Sequence, residues 1–89
     1  MSAIERIGDK NTGGGAVLST PQSTVSVNNK LVAVNGAIVS GHGYGRHRSP
    51  KTANGSSNVS INMRPVNRVG DEDTCGHTRA VGSTNVSVN

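Results

Sequence analysis

Three hexapeptides in this chain are near copies of one another, and no other feature limits its fold so tightly. Ser23-Thr24-Val25-Ser26-Val27-Asn28, Ser57-Asn58-Val59-Ser60-Ile61-Asn62 and Thr84-Asn85-Val86-Ser87-Val88-Asn89 share one pattern of small polar residues, Val, Ser, Val or Ile, then Asn. The two β-branched residues stand two apart, so in an extended backbone both face one way and the serine between them faces the other. Each hexapeptide therefore predicts one short strand with an apolar inner face. Elsewhere Val and Ile also fall in short alternating runs bounded by Gly, Asn, Ser and Pro, which is a strand-and-turn signature. No window places apolar residues at i, i+3, i+4 and i+7 for three turns, so helix has no comparable support.

A second segment recurs with the first. Arg6-Ile7-Gly8-Asp9 matches Arg68-Val69-Gly70-Asp71, and each leads through a Gly-rich stretch toward a hexapeptide. Superposing these copies sets Thr12 on Thr74, Gly13 on Cys75 and Gly15 on His77. The middle copy is looser. Lys30 to Gly36 replaces the Arg-Val-Gly-Asp segment, and the loop after it expands to hold Gly41-His42-Gly43-Tyr44-Gly45-Arg46-His47-Arg48. The expected organisation is a single domain, 1–89, with repeats at approximately 6–28, 30–62 and 64–89. None of the three units can bury its apolar face alone. The unequal spacing of the strand starts at Ser23, Ser57 and Thr84 fits closure around a shared axis better than a linear stack. The fold class this predicts is all-β: a small pseudo-threefold cone of strand and hairpin repeats, with little or no helix.

Such a body has little to fill it. Among 89 residues 31% are hydrophobic, Tyr44 is the sole aromatic side chain, and Trp and Phe are absent. Apolar content this low approaches that of disordered chains, and ordered chains of this length usually need a disulfide, a metal or a partner. Cys75 is the only cysteine, so no internal disulfide can close. Metal ligation or assembly remains. The net charge of +4 suits a nucleic-acid contact or plain solubility and decides neither. Met1 to Lys10 holds no apolar signal segment, and no apolar run approaches the roughly 20 residues that span a bilayer. The expectation is a chain made in the cytoplasm and exported, if at all, by a dedicated machine.

All three histidines and the cysteine fall in two Gly-rich windows, His42 with His47 and then Cys75 with His77. The spacing, H-x4-H followed by C-x-H, is not that of a zinc finger or ribbon. The donor types nevertheless match a closed tetrahedral zinc site, since one thiolate and three imidazoles complete the shell of a d10 ion and leave no position for substrate. One structural zinc is expected on His42, His47, Cys75 and His77, iron being less favoured by a set containing thiolate. Gly13 and Gly15 stand where the third copy has Cys75 and His77, so the scaffold itself does not require those side chains. Structural zinc contributes about 10–16 kcal/mol in zinc-finger peptides at neutral pH, enough to replace an aromatic core.

The stretch Ser57 to Asp71, SNVSINMRPVNRVGD, resembles the PAAR-repeat family, small proteins that sharpen the spike tip of type VI secretion systems and related contractile phage tails. Pro65-Val66-Asn67-Arg68 stands in the place of the family's Pro-Ala-Ala-Arg, while Leu31-Val32-Ala33-Val34 in the middle copy departs further. The resemblance runs from Arg6 to Asn89. It implies a cone with a metal near its apex and a broad base seated on a trimeric β-helical spike protein, one cap per trimer. It implies a binding role and no catalysis: the tip would aid membrane piercing, touch the target membrane transiently, and carry effector proteins recruited non-covalently. No fused effector domain is expected.

Other readings have less behind them. Cys75 near a histidine could be a thiol nucleophile, but this composition can hardly shape the pocket and oxyanion hole such a site needs, so no catalytic residue is expected. Asp71, Glu72 and Asp73 read as a solvated turn, too closely spaced for a calcium site. Gly13-Gly14-Gly15 reads as a tight turn, lacking the Gly-Lys-Ser/Thr ending of a phosphate loop. The alternative function is a free-standing zinc-dependent nucleic-acid-binding module using the basic loop Arg46, Arg48 and Lys51. With no further aromatics for stacking, nucleic acid is not the expected partner.

Overall fold

Strands do form at the hexapeptides, but they are shorter than the sequence pattern predicts. The computed structural model describes residues 1–89, the side chain of Arg46 excepted. Its strands are β1 (Ser2–Ala3), β2 (Val17–Ser19), β3 (Ser26–Val27), β4 (Lys30–Leu31), β5 (Ile38–Val39), β6 (Ser60–Ile61), β7 (Arg64–Pro65) and β8 (Ser87–Val88), with one 3-10 turn at Gly45–His47. They pair antiparallel as β3 with β4, β6 with β7, β2 with β5, and β8 with β1. Only the last Ser-Val or Ser-Ile of each hexapeptide lies in a strand, and after the first two a two-residue turn follows at once. Asn28 and Asn29 (φ 54° and 65°) form one such turn, Asn62 and Met63 (φ 51° and 66°) the other. Positive φ at both central residues is what a type I′ hairpin demands.

The three units close into a ring of backbone hydrogen bonds. The Glu5 N–H donates to Asn67 O (3.0 Å), the Asn67 N–H to Ala33 O (2.9 Å), and the Ala33 N–H to Glu5 O (3.0 Å). All three residues are fully buried. On one side of this ring, Ile4, Val32 and Val66 donate to the carbonyls of Val86, Val25 and Val59 respectively. On the other, Gly8, Gly36 and Gly70, with φ of 94°, 88° and 96°, donate to Val17, Thr52 and Arg79. Further along, Thr12, Ser40 and Thr74 donate to Thr78, Ala16 and Lys51. The pseudo-threefold relation thus holds in backbone geometry even at the middle copy, where side chains have drifted most.

The hexapeptides line the core but do not constitute it. Ile4, Val32, Val34 and Val66 form the buried apolar cluster, and Val27, Val59, Ile61, Val86 and Val88 pack against it while only partly buried. Val25 is left exposed. The segment that stands in the Pro-Ala-Ala-Arg position is therefore the axial column of the molecule. A smaller cluster of Val17, Ala33 and Ala37 continues it.

The acidic turn corrects the sequence reading. Asp71 and Asp73 are buried, and only Glu72 faces solvent. Asp71 accepts from its own unit's Arg68, at backbone N–H and guanidinium, as Asp9 does from Arg6. Each pair clamps the turn at its positive-φ glycine. Arg79, which occupies the position of Val17 and Thr52 in the other units, runs buried through the axis. It meets Glu5 Oε1 at 2.8 Å and Asp73 Oδ2 at 3.3 Å, and donates to the carbonyls of Asp9 and Gly15. A salt-bridged rod thus replaces part of the missing apolar core.

Candidate metal centre

The expanded middle loop folds back on itself to bring two imidazoles to one side. The His42 N–H donates to His47 O at 2.8 Å, closing the loop across the 3-10 turn. Gly41 permits this closure, since a Cβ there would stand 2.5 Å from Arg48 O. The His42 and His47 ring centroids end 5.2 Å apart. In the third unit, Asp73 to His77 makes a tight turn: Asp73 N–H donates to His77 O, Gly76 N–H to Asp73 O, and Gly76 adopts φ 93°. This turn delivers Cys75, which is buried.

Donor atoms of His42, His47 and Cys75 all lie within 4.8 Å of one another. Cys75 Sγ is 3.5 Å from His42 Nε2, and His42 Nδ1 is 3.1 Å from the Ser40 carbonyl. A carbonyl can only accept, so Nδ1 carries the proton and Nε2 presents its lone pair toward the sulfur. Tetrahedral zinc, with Zn–S of about 2.3 Å and Zn–N of about 2.0–2.1 Å, needs sulfur and nitrogen about 3.5–3.6 Å apart. The observed separation fits that edge, and the three residues together could hold a metal ion.

His77, the fourth residue of the expected set, stands beside this trio and is not among the donors that lie within 4.8 Å of one another. Its ring centroid is 5.0 Å from those of both His42 and His47, and its Nδ1 is 3.0 Å from Thr12 Oγ1. Around the centre, burial pushes the carboxyl of Asp73 above its ordinary range, against the pull of its Asn11 and Arg79 partners and the nearby His42. Glu5, deeper on the axis, is pushed up to about 8 by burial, partly offset by Arg79. One guanidinium faces two buried carboxyl groups, so the pair retains a proton into the neutral range. Of the basic-loop residues, Arg48 and Lys51 are exposed, and the side chain of Arg46 lies outside the described residues. A cavity of about 250 Å³ lined by Ser19, Thr20, Pro21, Gly36 and Ile38 shares no residue with the His/Cys cluster.

Sequence reasoning passed over the residues that surround the cluster. Asn11, Thr12, Glu5 and Arg79 carry no motif. Their signal is only comparative: Arg79 is a charge where the other units have Val17 and Thr52.

Fold and centre together define a cyclic β cone of three units with a cysteine–histidine cluster held by its loops. A family model, the PAAR motif, matches residues 7–89, and the chain belongs to that family of contractile-injection spike-tip proteins. Comparison with curated proteins gave no match.

Proposed function

We propose that this protein is a non-enzymatic tip that caps the end of a trimeric β-helical spike, in a type VI secretion system or a related contractile machine, and helps it pierce a target envelope. The observation that carries this reading is the ring formed by Glu5, Ala33 and Asn67. It gives one chain three equivalent faces with which to meet a symmetric trimer three times. Hairpins β3–β4, β6–β7 and β8–β1 repeat around that ring and present half-buried Val27, Ile61 and Val88. Seating them on the spike would cover strand edges that otherwise stay unpaired. The chain would be made in the cytoplasm and leave it on the spike, carrying effectors by non-covalent recruitment.

One zinc ion, bound by His42, His47, Cys75 and the Nε2 of His77, holds the middle and third loops together in this reading. The bound metal supplies cross-linking and no reaction chemistry, since four protein donors leave no open position. Two measurements test the proposal. Mixing with the trimeric spike protein is expected to give a 1:3 complex; salt-sensitive binding to oligonucleotides without any spike complex would favour the nucleic-acid module instead. Elemental analysis is expected to find one equivalent of zinc, lost together with thermal stability in Cys75→Ser. A wild-type chain free of metal and indifferent to chelator would overturn the metal assignment.

A further inference from the structure

The first unit contributes no ligand, yet its loop lies against the metal centre. Asn11 to Gly15 repeats the turn of the third unit: Asn11 N–H donates to Gly15 O, Gly14 N–H to Asn11 O, and Gly14 sits at φ 87°. At Gly14 a Cβ would meet nothing within 4 Å, so glycine serves the backbone there. Gly13 and Gly15 differ. Neither lies in the left-handed region, and each is crowded by an imidazole. A Cβ on Gly13 would stand 2.6 Å from His77 Nε2 and 2.8 Å from His42 Cδ2; one on Gly15 would stand 2.6 Å from His42 Nδ1. These glycines are bare because the histidine rings occupy the space of their side chains.

The loop is also pinned. Asn11 Oδ1 accepts from the N–H groups of both Gly13 (2.9 Å) and Gly15 (2.8 Å), and Asn11 Nδ2 donates to Asp73 Oδ2 at 2.6 Å. Arg79 donates to Gly15 O from the other side. Thr12 Oγ1 contacts His77 Nδ1 and accepts from the Thr78 N–H at 3.4 Å. With Nδ1 engaged by Thr12, the nitrogen left to His77 is Nε2, which faces the space into which Gly13 points.

We propose that Asn11–Gly15 is the outer wall of the metal centre, in which Thr12 is a positioning residue that engages His77 Nδ1 and so reserves Nε2 as the fourth donor, and Asn11 fixes the two glycines flat against the rings. The assignment rests on the metal reading above and goes beyond it, because it gives the ligand-free unit a defined task. Partners of this kind, bonded to the second nitrogen of a ligating histidine, typically change metal affinity 10–100-fold.

The test uses the full chain with Co2+ as a spectroscopic probe and Zn2+ in competition with a chelator. Wild type is expected to show the intense visible bands of tetrahedral thiolate-bound cobalt. Thr12 is exposed, so Thr12→Val should leave the fold intact. It is expected to weaken the bands as a water replaces His77, and to raise the Zn2+ Kd about 10–100-fold. Thr12→Ser should restore both, and Asn11→Ala should show the same spectral loss by loosening the wall. Wild-type bands and affinity in Thr12→Val overturn this assignment alone. A wild type that takes up no Co2+ overturns the metal reading itself, and the assignment with it.

Discussion

At the scale of single residues, the least expected feature is an ionisable group in the place of an aromatic core. Glu5 is fully buried on the axis, and its carboxyl is pushed up to about 8 because burial disfavours the ionised form more than Arg79 favours it. The folded chain therefore holds a proton that the unfolded chain releases near 4.5. The resulting stability is fully present below about pH 4.5 and is lost as the pH rises toward 8, by up to about 1.4 kcal/mol per unit. Glu5→Gln mimics the protonated carboxyl and has nothing to titrate. Urea unfolding of wild type and variant, each saturated with Zn2+, is expected to show wild type falling steadily behind between pH 5 and 8. The metal's own pH dependence is common to both and drops out of the difference. A constant gap across that range would place the proton elsewhere.

Among the elements, the loops differ in why they need glycine, and substitution separates the reasons. Gly14→Ala meets open space, so its cost is the left-handed backbone alone, about 1–2 kcal/mol, with metal affinity retained. Gly13→Ala adds no such strain but drives a methyl into His77, so it should lose metal affinity out of proportion to stability. Chelator competition beside thermal melting distinguishes the two. The same contrast explains what was readable in advance. The hexapeptides and the Arg-Ile/Val-Gly-Asp segments are visible because turns and short strands are local and repeat with little change. The donor cluster is visible because His and Cys are rare in this chain and gather in two windows. Gly13 and Gly15 looked like mere absences of ligand, since the rings that crowd them come from loops far away in sequence. Burial of Asp71 and Asp73 was equally hidden. A run of three acids has the composition of a solvated turn, and only the axial Arg79 and the clamp from Arg68 make it an interior one.

At the level of the whole molecule, the third hairpin is built from segments far apart in sequence, bringing together β8 and β1 from its opposite ends. Ser87–Val88 pairs with Ser2–Ala3, so the residue pair Val88 and Ser2 occupies the place of Val27 with Lys30 and of Ile61 with Arg64. The residues missing between them are supplied by Asn89 and Met1, and Asn-Met is also the turn of the second hairpin, Asn62-Met63. Joining Asn89 to Met1 by a peptide bond would supply a two-residue Asn-Met turn, with Asn89, whose backbone is not left-handed and whose carbonyl accepts from Ser56 Oγ, rotating into the positive-φ conformation that Asn62 adopts. Such a cyclised chain loses unfolded-state entropy as a cross-linked loop of similar length does, a gain of up to about 4–5 kcal/mol. At about 4–8 °C per kcal/mol for a domain of this size, the melting temperature should rise well above that of the linear chain at the same zinc stoichiometry. An unchanged or lowered melting temperature would mean that Asn89 and Met1 do not form the hairpin turn that Asn62 and Met63 form.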